Sequence, residues 1–542
     1  MKTIPTSRTM ARAAGGQWNR SIPLALILLG ALGHIAWMSF ICDDAFITFR
    51  YASNLIHGHG LVFNIGERVE GYTNFLWLLV SALILNVGAR PEVWTLWISG
   101  ACALVTVSAL LWQLRRNRKE QFFSSILLAS NGGFAAWSTG GLETALFTLL
   151  VFAAFLSVTT ALESASGERG RIDGRPIRLS AFFLLLASLT RPEGVLLTAL
   201  FGLFLVTYAL RHQLPWRALF LWAVVWVVPY GVYFIWRWQY YGHLFPNTFY
   251  VKAAGLSILP QGVAHILFAC TRFHLYLVLL PGVILLILRR SWGLRRGVAW
   301  LSATIIFPYV GYVCLMGGDF MDMFRFVVPI LPIVMLSAGV SWAAFHSFLR
   351  EKIPALAVPA MIALLVLVVG LNLRTSQDSQ TIWYRRGLDS IGLLRRYAEN
   401  WTLIARNLPR LSQPSDTLAT TAAGIIPYYT GLYTLDQLGL VAPDLSRYQR
   451  QKSVRPGHML QISGEYLFRV KPQLILGHPN LVNDPSEARM SHFIQEDWLD
   501  EMNREYRVVT AKILTVPPRY FQIGLRRDVV VRTNTDVPPA SH

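Results

Sequence analysis

Apolar runs of about 20 residues alternate with short basic turns along the first two thirds of the chain. Because a bilayer core of ~30 Å takes about 20 apolar residues of helix, these runs predict membrane spans at 22–41, 93–114, 217–236, 271–289, 297–315, 325–347 and 354–373. Shorter runs at 122–137, 142–161, 179–190 and 194–210 bring the expectation to about 11 transmembrane helices. The first run is longer than a cleavable leader's and lacks a small-x-small step before Cys42, so it reads as a span. Basic residues set the orientation. Lys2, Arg8, Arg12 and Arg20 precede the first span, and Arg115–Lys119, Arg169–Arg178, Arg211 with Arg217, Arg289–Arg296 and Arg350 with Lys352 mark later cytoplasmic turns. All fall on one side only if 73–88 lies along the outer leaflet as an interfacial helix. The outward loops are then 42–92, 138–141, 191–193, 237–270 and 316–324.

From residue 374 the long apolar runs stop. Short β-branched stretches at Leu474–Leu476, Arg507–Thr510 and Val529–Arg532, set among helical ones, predict an α+β domain outside the membrane. The expected division is a membrane domain over 1–373 and an extracytoplasmic domain over 374–542. Composition agrees: 54% of the 542 residues are hydrophobic and 15% charged, with a net charge of +19. A soluble protein carries about 25% charged residues, and basic turns between apolar runs exclude a nucleic-acid binder. The four cysteines sit in or beside apolar runs without metal-ligand spacing and read as small core residues.

Chemistry concentrates in the outward loops. Asp43 and Asp44 follow the first span directly. They are either a solvated helix end or a general base placed to take a proton from an acceptor hydroxyl. Neighbours on a helix point ~100° apart, so one would act as base and the other orient it or an acceptor. Tyr51, His57, His59, Glu67, Arg68, Glu70 and Tyr72 crowd the next loop. Its His-Gly-His turn lacks a third convergent ligand and reads as a turn rather than a metal site. Glu143, then Arg191 with Glu193, then Arg237, His243, Asn247 and Lys252, then Asp319 with Arg325 occupy the remaining loops. Arg191–Glu193 and Asp319–Arg325 are either structural ion pairs or functional charges. Cations at Arg191, Lys252 and Arg325 suit a phosphate or pyrophosphate.

The string "DDAFITFRYASNLIHGHGLVFNIGERVEGYTNFLW" resembles the N-terminal signature of GT-C glycosyltransferases, in the branch containing the terminal arabinofuranosyltransferase of mycobacterial cell walls. "GLETALF", "LTRPEG", "YYGHLFPNTFYVKA", "GGDFMDMFRFVVP", "AGIIPYYTGLYTLDQLGL" and "RPGH" resemble later motifs of that branch, in order, from about 43 to 458. The resemblance implies a GT-C-like membrane transferase of the bacterial plasma membrane, N-terminus cytoplasmic. It would move a sugar, a pentose such as arabinofuranose, from a polyprenyl-phosphate donor to an extracytoplasmic glycan, lipid or protein acceptor. Asp43 or Asp44 would be the base of an inverting displacement, with Lys252 and Arg325, backed by Arg191, on the donor phosphate. Glu67, Arg68, Glu70, Glu143, His243, Asn247, Asp319, Asp436 and His458 are the sugar or acceptor contacts. No cofactor is expected, a divalent metal being left open. The alternative is a transporter or flippase of polyprenyl-linked sugars, against which stand the one-sided charges and the lack of a repeat.

Overall fold

A computed structural model describes residues 7–164, 172–251, 258–291, 293–450, 455, 458–491 and 496–529. The first helix, Ser7–Met38, ends where Phe40 N–H donates to Thr139 and Cys42 N–H to the Gly140 carbonyl. The next helix, Asp43–Ile56, leaves at 88° to the first. Its opening Asp43 and Asp44 suit the positive end of a helix dipole, which favours a new helix at this corner. Ala45 to Ala52 are all buried, so the helix is clamped between layers rather than lying on open lipid. Helix Phe75–Asn86 packs against it. Twelve residues rise only ~18 Å, too short to cross, and Leu79, Leu83 and Val87 form one exposed apolar stripe at a spacing of four.

The chain is a polytopic helical membrane protein. Among the described residues, seven helices are long and apolar enough to cross, or nine if each of two bent pairs is one span. The other two of the eleven expected spans are shorter elements. Segment 122–137 divides between Arg118–Ala129 and Gly132–Trp137, because the Asn131 side chain caps Phe134 N–H and starts a second helix. Segment 179–190 lies in the 17-residue Gly174–Thr190, sheltered by neighbours on several sides. The expected 271–289 span is the bent pair Leu259–Arg272 and Leu275–Ile287, meeting at 84° where His274 turns left-handed (φ 49°). Much of the expected loop 237–270 is therefore helical.

The loops divide between two rims. On one, Gln113 bonds Glu163, Ile172 bonds Gln213, and Arg290 lies 4.0 Å from Glu351. On the other, the loops at 42–92, 138–141, 191–193, 237–251 and 316–325 converge beneath the C-terminal region. The last long helix runs to Gln380, seven residues past the expected boundary, and the first strand begins at Tyr384.

The C-terminal region is built on one mixed sheet. Strands Tyr433–Asp436, Thr417–Thr420 and Leu474–Gly477 run parallel, and Arg519–Arg526 and Tyr506–Ile513 add antiparallel beside them in that order. Parallel strands buried on both faces read as continuous apolar runs, as Leu474–Gly477 does. The expected strands at 474–476 and 507–510 fall inside observed ones. Val529 instead follows the last strand, and 530–532 lie outside the described residues. A single apolar core joins Phe46 and Trp137 to Ile425, Leu418 and Ile523, so membrane body and sheet pack as one.

Candidate active site

The corner at Asp43 is where the two parts meet. Asp43 accepts hydrogen bonds from Ile425 N–H at 2.7 Å and Gly424 N–H at 3.0 Å. Burial pushes its carboxyl up to about 7, against the pull of these two donors. A second tie comes from Arg50, one face further along the same helix. Its guanidinium donates to the carbonyls of Phe63, Pro427 and Leu432 and to the Asn64 side chain, fastening the first outward loop to segment 427–432. Residue 424 has room only for glycine, since an added Cβ would sit 1.9 Å from the Asp43 carbonyl oxygen. Gly424→Ala is therefore expected to cost about 1–3 kcal/mol, the range for overpacking. Thermal unfolding and limited proteolysis of the 388–529 region should both report the loss. An unchanged melting temperature would show the corner to be pliable.

Asp44 points elsewhere. Its carboxylate is 32% exposed and lies 3.9 Å from the Arg325 guanidinium, whose Nε is 3.0 Å from Asp319. It lines a cavity of about 80 Å³ between the membrane body and the sheet, walled also by Asp43, Phe320, Asp389, Arg455, His458 and His478. Asp389 is held by backbone bonds to Phe320 and Asp322 and pairs with Arg455, which also covers the Phe320 ring at 4.7 Å. Burial raises the Asp389 carboxyl even beside that cation. His458 meets Phe320 edge-on at 5.0 Å. His478 hydrogen-bonds Thr421 and packs edge-on against Tyr397 and Trp401; burial, helped by Arg455, lowers its imidazole to about 4, so it is neutral at pH 7.

Behind Asp44 runs a buried chain of charges. Arg191 binds Glu143 at 2.6 Å and Glu193 at 2.7 Å, and Asn74 donates to the other Glu143 oxygen. The Phe326 ring lies 5.1 Å from the Arg191 guanidinium and 5.2 Å from that of Arg325. Both ion pairs weighed from the sequence are thus present, and Arg191 is fully engaged by carboxylates. The geometry joins Asp43, Asp44, Arg325, Asp319, Arg191 and Glu143 into one contiguous group, with His458 across the cavity from it.

Other expected contacts hold the layers together. Glu70 pairs with Arg237 at 3.1 Å, and burial lifts its carboxyl to about 7. Asn247 donates to the carbonyls of Gly439, Leu440 and Ala442. Asp436, raised to about 6 by burial, accepts from Leu438 and Val441 N–H and shapes that same turn. Glu67 accepts from the Tyr433 hydroxyl, Arg68 lies over the Tyr240 ring, and His243 packs against Tyr250. Lys252 lies outside the described residues. Among the described residues no three His, Cys, Asp or Glu side chains are arranged to hold a metal ion. Sequence reading missed Asp389, Tyr397 and His478, which carry no motif, and passed over Arg455 inside the quoted "RPGH".

Residues 388–531 match a family described as a domain of unknown function (DUF8728). The terminal β-(1→2)-arabinofuranosyltransferase of Corynebacterium glutamicum is 28% identical over 330 residues, 55% of this chain and 47% of that protein. The match therefore spans about half the length of this curated relative. Among solved structures, ArnT from Cupriavidus metallidurans bound to undecaprenyl phosphate superposes with a TM-score of 0.55 at 14% identity, covering 94% of this chain and 98% of that one. The apo form of the same protein gives 0.53 over the same extents. The fold is thus GT-C-like, as the sequence resemblance implies.

Proposed function

We propose that this chain is an inverting membrane glycosyltransferase that moves a sugar, a pentose such as arabinofuranose, from a polyprenyl-phosphate donor to an extracytoplasmic acceptor. The observation that carries the reading is the split between the two aspartates. Asp43 is committed to backbone donors, whereas Asp44 presents a partly exposed carboxylate to a cavity of mixed apolar and charged lining, with Arg325 3.9 Å away. Similarity to an arabinofuranosyltransferase and the fold shared with a protein bound to undecaprenyl phosphate support it.

In this mechanism Asp44 takes the proton of the acceptor hydroxyl as its oxygen attacks the anomeric carbon. The bond to the donor phosphate breaks on the opposite side, and the carbon inverts. Polyprenyl phosphate leaves as a stable anion, so the site needs cations rather than a strong acid. Arg325 and Lys252 supply that charge.

Purified protein incubated with polyprenyl-phosphate pentose and hexose donors should release polyprenyl phosphate from one of them in the presence of acceptor. No release from any donor would remove the reading. The orientation that goes with it puts the N-terminus in the cytoplasm of a bacterial inner membrane and the sheet outside. A reporter after Arg526 should be active only outside the cytoplasm, and one between Asn117 and Arg118 only inside. The opposite pattern would invert the site.

A further inference from the structure

On the rim opposite the candidate active site, a second cavity of about 480 Å³ opens between the ends of two packed helices, Arg118–Ala129 and Leu331–Lys352. Arg116, Arg118 and Lys119 line one side, Ala343, Ala344 and Ser347 the other, and Gly293 closes over the top. That closure is tight: Gly293 is left-handed (φ 85°), and an added Cβ would lie 2.9 Å from Val340. The three cations are exposed, and none forms an ion pair or a side-chain hydrogen bond among the described residues. Glu120, the one carboxylate in the wall, is engaged by Asn117 at 2.5 Å. Three other basic residues of this rim are occupied: Arg115 covers the Trp112 ring at 4.1 Å, and Arg290 and Lys352 face Glu351.

Orientation needs only positive charge in these turns; it does not need an open cavity with uncompensated cations around it. The helix surface one turn beyond these basic residues matters equally. Phe122 is 38% exposed and stands three and four residues after Lys119 and Arg118, hence one turn deeper on the same face. A cationic rim above exposed apolar surface matches an amphiphile with phosphate at its head. Basic pockets between helices on the cytoplasmic side are suited to anionic lipid headgroups.

We propose that this cavity binds the headgroup of a dianionic phospholipid, Arg116, Arg118 and Lys119 contacting its phosphates and an acyl chain descending along Phe122. The site is separate from the sugar-transfer cavity; it rests on the proposed orientation and not on the sugar-transfer chemistry.

The test uses the full chain purified in detergent, with cardiolipin, phosphatidylethanolamine or inorganic phosphate added in turn, and native mass spectrometry to read what is retained. One cardiolipin should be retained in preference to phosphatidylethanolamine, and phosphate should not displace it. The Arg116→Gln, Arg118→Gln, Lys119→Gln triple variant should lose about 100-fold in cardiolipin affinity. Its melting temperature without lipid should stay at the wild-type value, since these exposed side chains have no internal partners to lose. Arg211→Gln with Arg217→Gln, on another turn of the same rim, should leave retention intact. Equal losses in both variants would mean diffuse attraction and overturn the proposal. Displacement by inorganic phosphate, or retention of phosphatidylethanolamine as strongly as cardiolipin, would overturn it too.

Discussion

Replacing Asp44 by asparagine is expected to lower sugar transfer by about 10²- to 10⁴-fold, the usual contribution of a general base, while donor binding persists. The amide keeps the shape of the carboxylate but cannot take a proton. The side chain is partly exposed, and an amide of the same shape fits the same place, so the fold should survive the change. Asp43→Asn should behave differently. There the two backbone donors at 424 and 425 face the oxygens, and an amide can satisfy only one of them while turning its own NH₂ toward the other. Its defect should appear in melting temperature and in acceptor use together. Single-turnover measurements separate the cases: Asp44→Asn slows the chemical step at saturating substrate. A wild-type rate in Asp44→Asn would leave the pair as a helix end and remove the catalytic reading, whatever Asp43→Asn does.

The division of labour between these neighbours was not legible in the chain itself. Adjacent aspartates announce a helix start near the membrane, but what each one faces is decided far along the chain, by residues 424 and 425 for Asp43 and by Arg325 for Asp44. Local pattern did carry the membrane body, because apolar length and basic turns are properties of single segments. It also placed the aspartates, Arg325, Asp319 and Glu143 on one side, through the alternation of loops. Its element boundaries departed from the structure where side-chain chemistry interrupts an apolar run. Asn131 caps a new helix within 122–137, and His274 bends 259–287. Asp389 and His478 were invisible for a related reason. Each is one polar residue at the edge of a short strand, and only tertiary pairing brings them opposite Asp44: Asp389 through its backbone bonds to Phe320 and Asp322, His478 through the mixed sheet.

Arg191 tests which part of the buried charge chain is structural. Its guanidinium is 9% exposed and bonded to two carboxylates, themselves 5% and 6% exposed. Removing the cation leaves Glu143 and Glu193 as uncompensated charges in a site that excludes water. Breaking a buried pair in this way costs about 3–5 kcal/mol, so Arg191→Met should lower thermal stability in detergent sharply. The sign of a second substitution identifies the cause. Adding Glu193→Gln to Arg191→Met removes one stranded charge and should recover part of the loss, whereas Glu193→Gln alone should destabilise. Such non-additivity is what a shared ion network predicts. If Arg191 instead holds the donor phosphate directly, Arg191→Met keeps its melting temperature and raises the KM for donor, and Glu193→Gln does nothing to rescue it. The 2.6 Å and 2.7 Å contacts favour the first outcome. They leave Arg325, bound closely to one carboxylate and only distantly to Asp44, as the cation of this group with charge to spare for a phosphate.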